Sequence, residues 1–132
     1  MNQIDIDHLG LEYDDKENAI RFFNEICSLK ILKTYRLSKE ISKNIFSIPK
    51  SIEVLVFKNH HMYIEVFITG EKQTKSFFHI CLKVPNKKDF ISLCKKNGLQ
   101  PYSIQKDDKI LLFVHDFTGI LYEIKEDNSI KS

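Results

Sequence analysis

The pattern of this 132-residue chain restarts halfway along its length. A strand, an amphipathic helix and three more strands are legible from about residue 4 to 70. The same β-α-β-β-β order returns from about 76 to 125. A repeat of this size constrains the fold more than any single element, because a unit that cannot bury its own apolar surface must find a partner. A βαβββ module covers one sheet face with its helix and leaves the other open. Two modules can pair so that their open faces form one cavity. The expectation is therefore an α+β fold, one domain of two modules, with residues 69–75 as a short polar linker and 126–132 as a flexible tail.

Within the first repeat, alternation predicts a strand over Ile4 to Tyr13, and Asp14-Asp15 can cap the helix that follows. Ala19, Phe22, Phe23 and Ile26 recur at helical spacing, and that helix should end near Ser28. Ile31 to Leu37 reads as a strand and residues 38–50 as a polar loop closed by Pro49. Ile52 to Phe57 and Met62 to Ile68 read as a hairpin across Lys58-Asn59-His60-His61, whose histidines sit on a solvated turn. In the second repeat Phe77 to Val84 is a strand. Asn86 and Gly98 bracket a helix carrying Phe90, Leu93 and Cys94 on one face. Tyr102 to Gln105, Ile110 to Val114 and Ile120 to Ile124 complete the unit, separated by turns at Asp107-Asp108 and Asp116-Phe117-Thr118-Gly119.

The face each polar residue occupies is the informative test, since successive strand side chains point to opposite sides. Phe78, Ile80, Leu82 and Val84 make one apolar face, so His79 points the other way. Ile120, Tyr122 and Ile124 oppose Glu123; Met62, Ile64, Val66 and Ile68 oppose Glu65; Leu9, Leu11 and Tyr13 oppose His8. His8 and His79 hold matching places on first strands, and Glu65 and Glu123 on last strands. A lone His or Glu mid-strand is usually just solvent-facing. Four of them at matched places, all on open faces, outweigh that bland reading. Two imidazoles and two carboxylates suit one divalent first-row ion, such as Ni, Co, Zn or Mn. Such an ion polarises a substrate carbonyl, and a carboxylate beside it can take a proton from the neighbouring carbon. Tyr63 and Phe67 share the face of Glu65 and can line the cavity. Arg36 is a candidate for holding a substrate anion, and His115 reads as structural or cavity-rim.

Composition narrows the function classes. Twenty Lys and Arg are scattered among eighteen acids with no basic stripe, which argues against nucleic acid as a partner. No stretch has the length of a membrane span, and the first residues lack a signal-like core, so the expected location is the cytoplasm. Cys27, Cys81 and Cys94 are an odd number without a paired spacing and read as reduced, mostly buried thiols.

The repeat and its four residues resemble the vicinal oxygen chelate superfamily over residues 4 to 125. Ile4-Asp5-Ile6-Asp7-His8-Leu9-Gly10-Leu11 looks like that family's "DHxGx" first strand, and Phe78-His79-Ile80-Cys81-Leu82-Lys83-Val84 like its "HHIAxxV" strand. Asp116 through Glu123 follows its closing "DPxGxxxE" pattern, with Phe117 in place of the Pro. The His-Glu-His-Glu order is similar to the glyoxalase I and methylmalonyl-CoA epimerase branch. The resemblance implies a glyoxalase-like curved mixed sheet around a metal-binding cavity. It implies His8, Glu65, His79 and Glu123 as ligands, with Glu123 or Glu65 doubling as base. It further implies a metal-dependent lyase or isomerase acting on a small molecule, a 2-oxo thiohemiacetal or an acyl-CoA, in a homodimer. Two other activities exist in the superfamily: drug sequestration of the bleomycin-resistance type, and thiol transfer to fosfomycin. Extradiol dioxygenases use two His and one Glu, so the second carboxylate here disfavours that branch.

Overall fold

The computed structural model describes residues 6–72 and 80–129. The chain divides into two compact units, Met1–Lys72 and Gln73–Ser132.

In the first unit, β1 (Leu9–Tyr13) is followed by α1 (Lys16–Ile20), which widens into a π-helical segment (Arg21–Ile26). Asp15 starts the helix by accepting the Asn18 N–H at 3.0 Å. The wider winding is seen where Cys27 N–H donates to Phe22 O, five residues back, at 2.9 Å. Ser28 then takes a left-handed φ of 61° and lets Leu29 N–H reach Phe23 O, which closes the helix. Ala19, Phe22, Phe23 and Ile26 are all buried, as their spacing predicts. Phe23 meets Tyr13 and Phe57 with ring centroids 5.7 and 5.3 Å apart, so one aromatic cluster ties helix to sheet.

The sheet continues with β2 (Lys30–Leu37), β3 (Ile52–Lys58) and β4 (Tyr63–Ile68), in the order β1-β4-β3-β2. β1 runs parallel to β4 and the other pairs are antiparallel. Asn59 shapes the β3–β4 turn by accepting from the backbone of His61 and Met62 at 2.8 and 2.7 Å. Residues 38–50, expected as a loop, instead contain α2 (Lys39–Phe46). Ser38 caps it by accepting from Ile41 N–H, and Ser47 ends it at a φ of 60°. Its last residue, Phe46, packs on Phe67 at 4.9 Å between ring centroids.

The second unit repeats the plan. β5 (Ile80–Val84), α3 (Lys87–Lys96), β6 (Tyr102–Lys106), β7 (Lys109–His115) and β8 (Leu121–Glu126) give a sheet ordered β5-β8-β7-β6, again with its first and last strands parallel. Asn86 caps α3, and Gly98 follows it at a φ of 86°. Phe90 and Cys94 are buried, and so are Leu82, Val84, Leu112, Val114, Tyr122 and Ile124 of the sheet. The topology matches the predicted α+β repeat of βαβββ modules. The N-terminal strand is shorter than expected, however: His8 stands just before β1, and Leu9 at its start is exposed. Residues 4 and 5 of the expected first strand, and 77–79 of the expected fifth, lie outside the described residues.

Candidate metal centre

Glu65 lies mid-way along β4 on the face away from the helix. It pairs with Gly10 of β1 and Val56 of β3. His8, two residues before Gly10, reaches the same face, and its Nε2 stands 3.2 Å from Glu65 Oε2. The other ring nitrogen, Nδ1, is 2.7 Å from Asp7 Oδ2. The Asp7 hydrogen bond holds the His8 pKa above its ordinary value, assisted by the charge of Glu65 and opposed by partial burial.

This geometry carries chemical information. In the neutral tautomer that donates Nδ1–H to Asp7, the Nε2 lone pair faces a carboxylate oxygen, and neither atom has a hydrogen to share. That approach is favourable only when a proton or a cation sits between them. Two ligands of one divalent ion, each about 2.1 Å from it, stand roughly 3.0–3.4 Å apart at ordinary coordination angles. A separation of 3.2 Å fits that spacing as well as it fits an ion pair of protonated His8 with Glu65, and a carboxylate behind the imidazole is the usual support for a metal-bound histidine. The residues of this pair therefore fit a metal ion.

Tyr35 is the residue that sequence reasoning missed. Its hydroxyl donates to Glu65 Oε1 at 2.8 Å, so both oxygens of Glu65 are engaged, one by Tyr35 and one facing His8. Burial, and then the bond to Glu65, push the Tyr35 phenol up to about 12. Tyr63 and Phe67 lie on the same face as expected. The Tyr63 ring packs on His8 at 5.0 Å and carries Lys58 Nζ 5.1 Å from its centroid, while Phe67 supports α2 through Phe46. Gly10 leaves room for this packing, because a Cβ there would stand 3.1 Å from Phe67 Cε2. Arg36 does not join the group. It follows Tyr35 on β2, so it points to the opposite face, where its Nε donates to Ser51 Oγ at 3.2 Å.

In the second unit Glu123 pairs with Cys81 of β5 and Phe113 of β7, the counterpart of Glu65 between Gly10 and Val56. Asp116 fixes this register. It is buried, and its Oδ1 accepts from Thr118 and Ile120 N–H at 3.1 and 2.9 Å, while its Oδ2 accepts the Tyr122 hydroxyl at 2.8 Å. Gly119 completes the turn at a φ of 97°, a conformation that favours glycine. The Asp and Gly of the closing motif are thus the parts that aim Glu123. His115 stacks on Tyr102 at 6.0 Å on the face that Glu123 shares.

The β7–β8 ladder ends at Leu112↔Ile124, and a cavity of about 370 Å³ opens beyond it. Lys87, Lys109, Ile110, Leu111, Glu123, Ile124 and Lys125 line it. None of its three lysines is in an ion pair among the described residues. Cys94 is buried and Cys27 half-buried, but Cys81 is exposed, which corrects the expectation of mostly buried thiols. Cys81 alternates with the packed residues Ile80 and Leu82, so it falls on the open face. His79 lies outside the described residues, and among those described no group of three or more potential metal ligands is assembled. What the first unit supplies by itself is one His–Glu pair. Among the described residues no helix is long and apolar enough to cross a membrane.

No protein-family model matches the sequence, and no curated protein does. Solved structures do match. A glyoxalase family protein from Bacillus cereus aligns with a TM-score of 0.75 at 17% identity, over 96% of this chain and 95% of that one. The genomically encoded fosfomycin resistance protein FosX from Listeria monocytogenes aligns at 0.71 and 14%, over 96% and 95%. A structure of the same FosX complexed with Mn(II) and sulfate ion aligns at 0.66 and 15%, over 91% and 89%. The chain has the vicinal oxygen chelate fold shared by glyoxalase family proteins and FosX.

Proposed function

We propose that this protein is a metal-dependent enzyme of the glyoxalase or epimerase type, with His8, Glu65, His79 and Glu123 holding one divalent ion. The single observation that carries the reading is the His8–Glu65 pair. It is spaced as two ligands of one ion and backed by Asp7. The repeat supports extending it, since Glu123 occupies in the second sheet the register place that Glu65 occupies in the first. Bound there, the ion would polarise a substrate carbonyl. Glu123 or Glu65 would remove the proton from the adjacent carbon, and Tyr63 and Phe67 would line the substrate. A homodimer in the cytoplasm is the proposed working form; Cys27, Cys81 and Cys94, none of them in a disulfide, suit a reducing compartment.

The substrate anion belongs with Lys87, Lys109 and Lys125 rather than with Arg36, because those lysines share a cavity with Glu123. An acyl-CoA or another anionic small molecule fits better than a neutral one. The same lysines, and the likeness to FosX, favour fosfomycin-type chemistry on a phosphonate as the second reading. Drug sequestration without a metal ranks below both.

The test is metal content. Stripped protein is reloaded separately with Ni²⁺, Co²⁺, Zn²⁺ and Mn²⁺, and bound ions are counted per chain. The proposal expects one tight ion, lost in the His8→Ala/His79→Ala variant. Absence of tight binding, or binding unchanged in that variant, would refute it. Turnover of fosfomycin with Mn²⁺ and no turnover of glyoxalase or epimerase substrates would select the second reading.

A further inference from the structure

We infer that the open face of the first unit carries a binding site for the phosphoryl group of a small-molecule phosphate monoester, formed by Lys30, Lys33 and Lys58. The site goes beyond the metal reading above and stands without an ion at His8 and Glu65.

A break in strand regularity assembles it. In an unbroken strand, residues 30 and 33 point to opposite faces. The register of β2 shifts between Ile31 and Lys33, and the extra residue returns Lys33 to the face of Lys30. Lys30 stands directly opposite Lys58 of β3, and Lys33 opposite Val56, which pairs with Glu65. Like charges directly opposite each other destabilise a sheet, and an anion between them removes the repulsion.

The unit supplies no such anion. None of the three lysines is in an ion pair among the described residues. The carboxylates around them have other partners. Glu65 accepts from Tyr35 and faces His8, Asp7 bonds the other nitrogen of His8, and Glu12 accepts the Thr69 hydroxyl. Two of the ammonium groups rest on ring faces instead. Lys58 Nζ lies 5.1 Å from the centroid of Tyr63, whose ring packs on His8 at 5.0 Å. Lys33 Nζ lies 5.8 Å from the centroid of Tyr35, whose hydroxyl donates to Glu65. Each of these cations is thus one ring away from a member of the His8–Glu65 pair.

Charge and shape select the ligand. A phosphate monoester carries about two negative charges and three acceptor oxygens near neutral pH. Three lysines offer it three point charges, each with its own donors. A carboxylate has one charge and two oxygens and is matched better by the planar fork of an arginine. The arginine of β2, Arg36, is turned to the opposite face, onto Ser51.

The experiment titrates glycerol 3-phosphate and inorganic phosphate separately into the full chain at constant ionic strength, with backbone amide shifts followed by NMR. Glycerol 3-phosphate should give a saturable shift at Lys33, Lys58 and their strand neighbours. The Lys33→Gln/Lys58→Gln variant should weaken that binding by about tenfold or more, because two charge-assisted contacts are lost. Lys39→Gln/Lys43→Gln removes the same charge from α2 and should leave the affinity within about twofold, since exposed charges outside the site are screened. A shift that never saturates, an equal loss in the two double variants, or saturation by inorganic phosphate with the ester excluded overturns the site. A chain that binds the ester here but holds no tight metal ion keeps this site and loses the metal centre.

Discussion

In the first module the central strand β3 is buried on both faces: Val54 and Val56 are as inaccessible as Leu55 and Phe57. In the second, β7 buries only Leu112 and Val114, and the edge strand β6 is exposed along its whole length. The strand order and the parallel pairing are the same in both. What differs is the connection between the second and third strands of each module. The first module spends residues 38–51 there and folds part of them into α2, whose Phe46 lies on Phe67 beside Gly10. The second turns through Asp107-Asp108 alone, with Asp107 at a φ of 56°. Its β7–β8 ladder stops at Leu112, and a cavity opens next to Glu123. One plan has thus been completed in two ways. One half holds its carboxylate in a packed setting against Tyr35, and the other sets its carboxylate in the lining of a cavity that also holds three lysines.

The largest expected effect separates the two hairpin turns. Asp116 and Asn59 play the same part, but Asp116 is buried and serves two N–H groups and a phenol, whereas Asn59 is exposed. Removing a buried acceptor leaves its donors unpaired at roughly 1–3 kcal/mol each. Asp116→Ala should therefore cost about 3 kcal/mol or more in urea unfolding, and Asn59→Ala about 1 kcal/mol or less. Equal costs would mean that the second turn is not held by its aspartate. A smaller effect concerns the residues beside the two carboxylates. Gly10→Ala pushes a methyl against the Phe67 ring and should cost about 1 kcal/mol through overpacking. Cys81→Ala, at the matching place, should change stability by less than about 0.5 kcal/mol because that side chain is exposed. If Gly10→Ala were as neutral as Cys81→Ala, the first module's open face would be looser than described.

Much of this was legible in the sequence, for definite reasons. Asp15, Asn86 and Gly98 announced helix ends because capping is local chemistry. Glu65 and Glu123 could be assigned to the open faces because their strands alternate without interruption. Helix α2 was not legible. Its apolar residues Ile41, Ile45 and Phe46 remain largely exposed, and the contact that anchors it, Phe46 on Phe67, joins segments distant in sequence. Tyr35 was hidden by an irregularity. The register of β2 shifts between Ile31 and Lys33, so stepping by twos from Ile31 puts Tyr35 on the wrong face. Ile31 sits opposite Phe57 of the packed face, whereas Lys33 and Tyr35 sit opposite Val56 and Val54. A bulge in one edge strand thus brought a phenol to the carboxylate and removed the sequence signal that would have revealed it.

The central claim is that the His–Glu pairs of both modules meet on one ion. The direct measurement is a crystal of the Mn²⁺-loaded protein with data collected across the metal absorption edge. The account predicts one anomalous peak per site, within coordination distance of His8 Nε2, Glu65 Oε2, one His79 ring nitrogen and a Glu123 oxygen. An ion bound by His8 and Glu65 but remote from His79 and Glu123, or a peak elsewhere such as at His60-His61, would contradict it.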